Sequence, residues 1–215
     1  MIKMYGFWRS AASFRVRAAL NLKGLAFEEE MINLDANAQH DPAYEALNPH
    51  ASVPSLIVDG GTPLTQSMAI LEYLEEKYPS PALLPADPNG RARVRSLALL
   101  WAADYHPLIV PRVRAYLAAT MGQDEAARTA WVKHWFREGL ATGEKYLAND
   151  PLTGRFCHGG SVSFADLCLM GQAMGARVFK VDISDLPTVS RIVENCPKLD
   201  AIQRALPLNQ PGAPK

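Results

Sequence analysis

An α/β unit followed by an all-helical domain is the architecture this sequence predicts, and three observations predict it. Strand and helix patterns alternate through about the first 80 residues. A proline-rich stretch then interrupts them. After Gly90 only helical periodicity remains.

The elements follow in order. "IKMY" reads as a strand and residues 10–23 as an amphipathic helix. "FEEEMIN" is a second strand, residues 42–47 a short polar helix, and "SLIV" and "TPLT" two more strands. In "SMAILEYLEEKYP" Ile70, Leu71 and Leu74 form one stripe with Glu75 and Lys77 outside it, and a proline follows, so residues 67–77 form a helix. The stretch "YPSPALLPADPNG" holds four prolines and two leucines, the composition of a linker pinned against a surface. Domain one is therefore 1–82, the linker 83–89 and the helical domain 90–215. Within that domain the periodicity predicts helices over 91–119, 124–147, 163–178, 188–195 and 198–205. "SFAD" (163–166) matches a capping box. The tail "LPLNQPGAPK" reads as poorly ordered.

Composition narrows the partners. The 22 basic residues balance 22 acidic ones among 215, which gives no global field to attract nucleic acid or an anionic membrane surface. Apolar runs fall far short of the roughly 20 residues a bilayer span needs. "MIKMYGF" enters a strand pattern at once, without a secretory leader pattern, so a cytoplasmic protein is expected. Cys157, Cys168 and Cys196 are an odd number at spacings that match neither a disulfide framework nor a zinc site. They are expected to be reduced and structural, and no metal is expected.

The stretch "WRSAASFRVRAAL" (8–20) carries the chemistry. Ser10 stands at a helix start just after a strand, where free N–H groups and the positive dipole end favour an anion such as a thiolate. The bland reading is an ordinary N-cap. Ala11 and Ala12 occupy the places where a cysteine could sit, and no Cys-x-x-Cys pair occurs anywhere. If the seat needs sulfur, the sulfur must be brought in. Glutathione is the natural carrier, with the Ser10 hydroxyl bonding its thiolate. Two more signals support this. Val53–Pro54 stands directly before a strand, where proline suits a turn or a cis bond and would leave the Val53 N–H and C=O to pair with an extended peptide. Gln66 and Ser67 open the next helix, a second anion site suited to an amino-acid carboxylate.

"FWRSAASFRVRAALNLKG", "ALNPHASVPSL", "LTQSMAILEYLEEKYP", "LLPADP", "FADLCL" and "FKVD" together resemble the zeta class of glutathione transferases, the group that includes maleylacetoacetate and maleylpyruvate isomerases. The resemblance runs from Met1 to about Pro207. It implies a thioredoxin-like N-terminal domain, a helical C-terminal domain, a homodimer and glutathione as cofactor. Carried over by position, Ser10 is the thiolate partner, and the glutathione contacts fall on Gln39, Val53, Pro54, Gln66, Ser67 and His106. Arg9, His106, Arg112 and Arg177 align with substrate-pocket positions. Taken singly each arginine could be a solvated surface residue. Together they suit the carboxylates of a small dicarboxylate, because the guanidinium fork grips both oxygens. Arg15, Arg17 and Arg114 are structural or dimer-interface candidates, and His134 and His158 lie outside the pocket motifs.

The implied activity is cis–trans isomerisation of a 4-oxo-enoate dicarboxylate, maleylpyruvate or maleylacetoacetate, by thiolate addition, bond rotation and elimination. Glutathione conjugation or dehalogenation of α-haloacids is the alternative enzyme reading, and a non-catalytic scaffold the alternative outside enzymes. The departure from the zeta pattern is Ser10-Ala11-Ala12-Ser13 where the class commonly reads Ser-Ser-Cys-Ser. That leaves thiolate activation by Ser10 intact and bears on substrate choice.

Overall fold

The computed structural model describes residues 1–214, and by packing these fall into two compact units. The first comprises residues 1–83 together with those from 198 onward, the second residues 84–197.

In the first unit β1 (Ile2–Gly6) leads into α1 (Ala11–Leu22), β2 (Phe27–Met31), two 3-10 turns (Leu34–Ala36 and Ala38–His40), α2 (Pro42–Leu47), β3 (Ser55–Val58), β4 (Leu64–Thr65) and α3 (Ser67–Lys77). The sheet order is β2-β1-β3-β4. β1 runs parallel to β2 and antiparallel to β3, with Ile2 opposite both Phe27 and Val58. Alternation along β1 buries Ile2 and Met4. α1 is buried over most of its surface, because small residues such as Ala18 and Ala19 let neighbouring elements approach closely. Its two buried arginines are held by polar partners. Arg17 grips the Glu29 carboxylate through Nε (2.7 Å) and Nη2 (2.5 Å), and its Nη1 donates to the Ala205 carbonyl at 3.2 Å. Lys23, with a fully buried side chain, donates from Nζ to Glu75 Oε2 at 2.7 Å and to the carbonyls of Tyr78 (2.7 Å) and Pro81 (2.9 Å). A buried ion pair persists only when its remaining hydrogen bonds are satisfied, as here.

The second unit is helical: α4 (Pro88–Leu99), a π-helical segment (Leu100–Tyr105), α5 (His106–Ile109), α6 (Pro111–Ala119), α7 (Glu125–Leu147), α8 (Phe164–Val178) and α9 (Pro187–Asn195). Asp87 caps α4 by accepting from the Gly90 N–H at 2.8 Å. The single helix expected over 91–119 is instead broken. The ladder widens to a π turn after Leu99 and ends at Val110, which is extended (ψ 156°) because Pro111 disfavours α geometry in the residue before it. The π segment is seated by α7. A Cβ on Gly139 would lie 2.9 Å from the Tyr105 ring, and one on Gly143 2.5 Å from Trp101 Cζ2, so only glycine leaves room for these rings. The Trp101 indole then donates to the Gly139 carbonyl at 3.0 Å. The expected capping box is present: Asp166 Oδ2 accepts from the Ser163 N–H (2.8 Å) and hydroxyl (2.7 Å), and Oδ1 from the Cys157 N–H (2.8 Å). Burial raises the Asp166 pKa.

The expectation of an α/β unit followed by helices is met, with one difference of assignment. α10 (Asp200–Ala205) was expected in a helical domain over 90–215, yet it packs on α1 in the first unit. Arg17 and Asn21, the latter through Nδ2 to the Ala201 carbonyl at 3.0 Å, hold it there. The tail also differs from the expected disorder. Residues 207–209 form a 3-10 turn, and Gln210 Nε2 donates to the carbonyls of Arg204 (2.6 Å) and Leu206 (2.8 Å). Among the described residues no helix is long and apolar enough to cross a membrane.

Candidate active site

Ser10 is the N-cap of α1. Its backbone is extended (φ −70°, ψ 122°), and its Oγ accepts from the Ser13 N–H at 3.2 Å. Capping and chemistry are compatible here, because a hydroxyl has two lone pairs and one proton. Accepting from Ser13 consumes one lone pair and leaves the proton to donate. The helix adds its positive end at the same place. Arg9, directly before it, is half exposed and paired with Asp35, with its guanidinium 5.4 Å from the Phe7 ring centroid. Exposed pairs of this kind contribute little, so another carboxylate can displace Asp35.

The loop before β3 is fixed from behind. The Tyr44 hydroxyl donates to the Ser52 carbonyl at 2.6 Å, Asn48 Nδ2 donates to the same carbonyl at 2.7 Å, and Asn48 Nδ2 reaches Ser55 Oγ at 3.1 Å. The result is a rigid turn carrying a cis Val53–Pro54 bond. The Val53 N–H and C=O take no partner among the described residues. Burial raises the Tyr44 pKa, which keeps its hydroxyl proton in place as a donor. The sequence pointed to Val53–Pro54 but not to Tyr44, Asn48 and Ser55, whose types are ordinary in a polar helix and a strand start.

Gln39 lies on the Ala38–His40 turn, and its buried Oε1 has no hydrogen-bond partner among the described residues. Such an orphaned acceptor is costly unless something donates to it. Gln66 has φ 66°, a left-handed value that a non-glycine residue rarely adopts. Ser67 follows as the first residue of α3 and is only 6% exposed. The Arg15 Nε donates to its Oγ at 3.0 Å. This link was invisible in the sequence, where Arg15 was only a structural or interface candidate.

The second unit holds the other candidates. His106 is the first residue of α5, directly after the π segment, and is half-buried. Isolated π turns recur where a helix must re-aim a side chain. Arg112 is exposed on α6, and Arg177 is exposed in the last turn of α8. Cys157, Cys168 and Cys196 are buried and unbridged, and burial pushes the Cys157 and Cys196 thiols up. Neither is a nucleophile at neutral pH.

Residues 1–76 match the family model described as "Glutathione S-transferase, N-terminal domain". Over 99% of its length the chain is 45% identical to a maleylpyruvate isomerase from Ralstonia sp, covering 100% of that protein. A crystal structure of maleylacetoacetate isomerase from Methylobacterium extorquens AM1, with bound malonate and glutathione, superposes with a TM-score of 0.97. It is 52% identical and is covered over 100% of its length by 99% of this chain. A holo maleylpyruvate isomerase, described as a bacterial glutathione S-transferase of zeta class, has a TM-score of 0.95 at 44% identity, with 99% and 100% covered. The chain belongs to the zeta-class glutathione transferases.

Within this class the α/β unit has the thioredoxin-like fold. Its opening helix reads Ser10-Ala11-Ala12-Ser13, with Ala12 buried and Ala11 half-buried. Neither the helix start nor the buried cysteines offer this zeta-class chain a reactive thiol of its own. Glutathione suits what the α/β unit leaves unspent: a hydroxyl proton on Ser10, an amide edge at Val53, an acceptor on Gln39 and a serine at the head of α3.

Proposed function

We propose that this chain is a glutathione-dependent cis–trans isomerase of a 4-oxo-enoate dicarboxylate, maleylpyruvate or maleylacetoacetate, acting in the cytoplasm as a homodimer. The observation that carries the reading is the relative that crystallised with glutathione and malonate, a thiol carrier and a dicarboxylate held by one protein.

Glutathione, when bound, supplies the sulfur nucleophile that adds to the double bond, permits rotation and departs unchanged. Ser10 donates its spare proton to that sulfur and, with the α1 dipole, favours the thiolate. Val53 pairs through N–H and C=O with the peptide main chain, next to Pro54. Gln39 offers Oε1 to a peptide N–H, and Gln66 and Ser67 present the start of α3 to the γ-glutamyl carboxylate. Arg9, Arg112 and Arg177 each offer a guanidinium fork that suits a substrate carboxylate and stabilises charge developing beside it. His106 binds a carboxylate or carries a proton.

The test mixes protein, glutathione and either substrate, and follows the fumaryl product together with total glutathione. Isomerisation leaves glutathione constant, whereas conjugation consumes it. Arg112→Ala and Arg177→Ala should each lower kcat/KM for the diacid by roughly 10- to 100-fold, the loss of one charge-assisted bond. A neutral ester should be nearly indifferent. Equal losses for acid and ester would make these arginines supports of the fold and remove the dicarboxylate assignment.

A further inference from the structure

We infer that Arg15 is a positioning residue for the carboxylate end of glutathione, acting through the Ser67 hydroxyl; this rests on the reading of Ser67 given above. Arg15 lies in the middle of α1, 3% exposed, in a helix whose neighbouring positions Phe14, Val16, Ala18 and Ala19 are packed into the core. A guanidinium there has a large desolvation cost, and its placement asks for a reason. Its Nε–H donates to Ser67 Oγ at 3.0 Å in a bond buried from solvent.

That bond has two consequences. A serine at the start of a helix can turn its hydroxyl to accept from a local N–H or donate to a nearby carbonyl. With Arg15 donating into one lone pair, the Ser67 proton is directed elsewhere, toward whatever acceptor meets the head of α3. Arg15 also places a permanent positive charge behind the hydroxyl. An anion bonded to Ser67 at the usual separation of about 2.7 Å would lie roughly 5 to 6 Å from that charge, where opposite charges still interact strongly under partial burial. α1 thus serves both ends of one ligand: its N-cap, Ser10, faces the sulfur, and its interior, Arg15, organises the carboxylate subsite on α3 against which it packs.

The test compares binding of glutathione with that of γ-aminobutyryl-cysteinyl-glycine, the same peptide lacking the γ-glutamyl α-carboxylate, by titration calorimetry. The variants are Arg15→Met, Arg15→Lys, Ser67→Ala and the double variant Arg15→Met/Ser67→Ala. Arg15→Met should weaken glutathione binding by roughly 10- to 100-fold. Binding of the shortened peptide should stay within about twofold, and Arg15→Lys should recover part of the loss by restoring the charge. In the Ser67→Ala background the Arg15→Met loss should shrink to a few-fold, since the relay is already cut. Equal losses for both peptides, or full additivity of the two substitutions, would overturn the inference and make Arg15 a packing residue. If Arg15→Met does not fold by circular dichroism, Arg15→Lys alone and with Ser67→Ala decides by the same two criteria. A wild-type protein that binds both peptides equally would instead refute the placement of the carboxylate at Ser67, a failure of the underlying reading that the wild-type titration alone reveals.

Discussion

Ser10 carries two separable jobs, and replacing it should show both. Its Oγ accepts from the Ser13 N–H at 3.2 Å in a half-buried setting, an N-cap whose loss to alanine costs about 1 kcal/mol. For a chain of this length that corresponds to a fall in Tm of roughly 2 to 4 °C. Its remaining proton, donated to a bound thiolate, is a hydrogen bond to a charged group, about 1.5 to 3 kcal/mol. At about 1.36 kcal/mol per pKa unit, removing it should raise the thiol pKa of bound glutathione by roughly one to two units. Glycine separates the effects, because it caps a helix nearly as well as serine but offers no proton. Ser10→Ala should therefore lower Tm and raise the thiol pKa, whereas Ser10→Gly should raise the pKa with only a small change in Tm. Thiolate absorbance of the glutathione complex against pH reads one quantity, and thermal melting the other. If both variants titrate like the wild type, Ser10 is only a cap and the sulfur is activated elsewhere.

Two further outcomes concern stability. Gly143→Ala would place a methyl 2.5 Å from Trp101 Cζ2, in a ring fixed by its bond to Gly139, so overpacking of about 1–3 kcal/mol should outweigh the helix propensity gained, up to about 1 kcal/mol. Tm should fall by several degrees, while Gly160→Ala, where an added Cβ meets nothing within 4 Å, should leave it unchanged; similar Tm values for both would refute the seating of Trp101. Asp150 is held below the usual carboxylate pKa, first by the Leu152 N–H and then by Arg93. A depressed folded pKa adds stability that is complete above the unfolded value of about 3.9 and is lost as pH falls through the folded one. Asp150→Asn should thus flatten the fall in urea-unfolding free energy below about pH 4, and an unchanged acid slope would place the loss in other carboxylates.

Much of the fold and of the candidate site was legible because it is local. The Ser10 cap, the Asp166 box and the proline after Val53 are relations within a few residues, decided by side-chain reach and backbone sterics that any fold must obey. The α/β-then-helical order was legible for the same reason, since periodicity is a property of a short window. The break in the helix expected over 91–119 was less so. Apolar spacing continues through the π segment, and what favours a wider turn at Leu100–Tyr105 is the pair of glycines that seats two rings from another helix.

By itself the sequence determined which helix starts could hold anions and that no cysteine stood ready at them. Only the tertiary structure decided what stands behind those starts: Arg15 under Ser67, 52 positions away; Tyr44 and Asn48 bracing the turn of Val53; and Arg17 drawing α10 back to α1 across 188 positions. Contacts between residues so far apart exist only after the core has closed. An arginine in a helical run looks the same in sequence whether it faces water or a buried serine, because the partner that distinguishes the two is brought to it by packing.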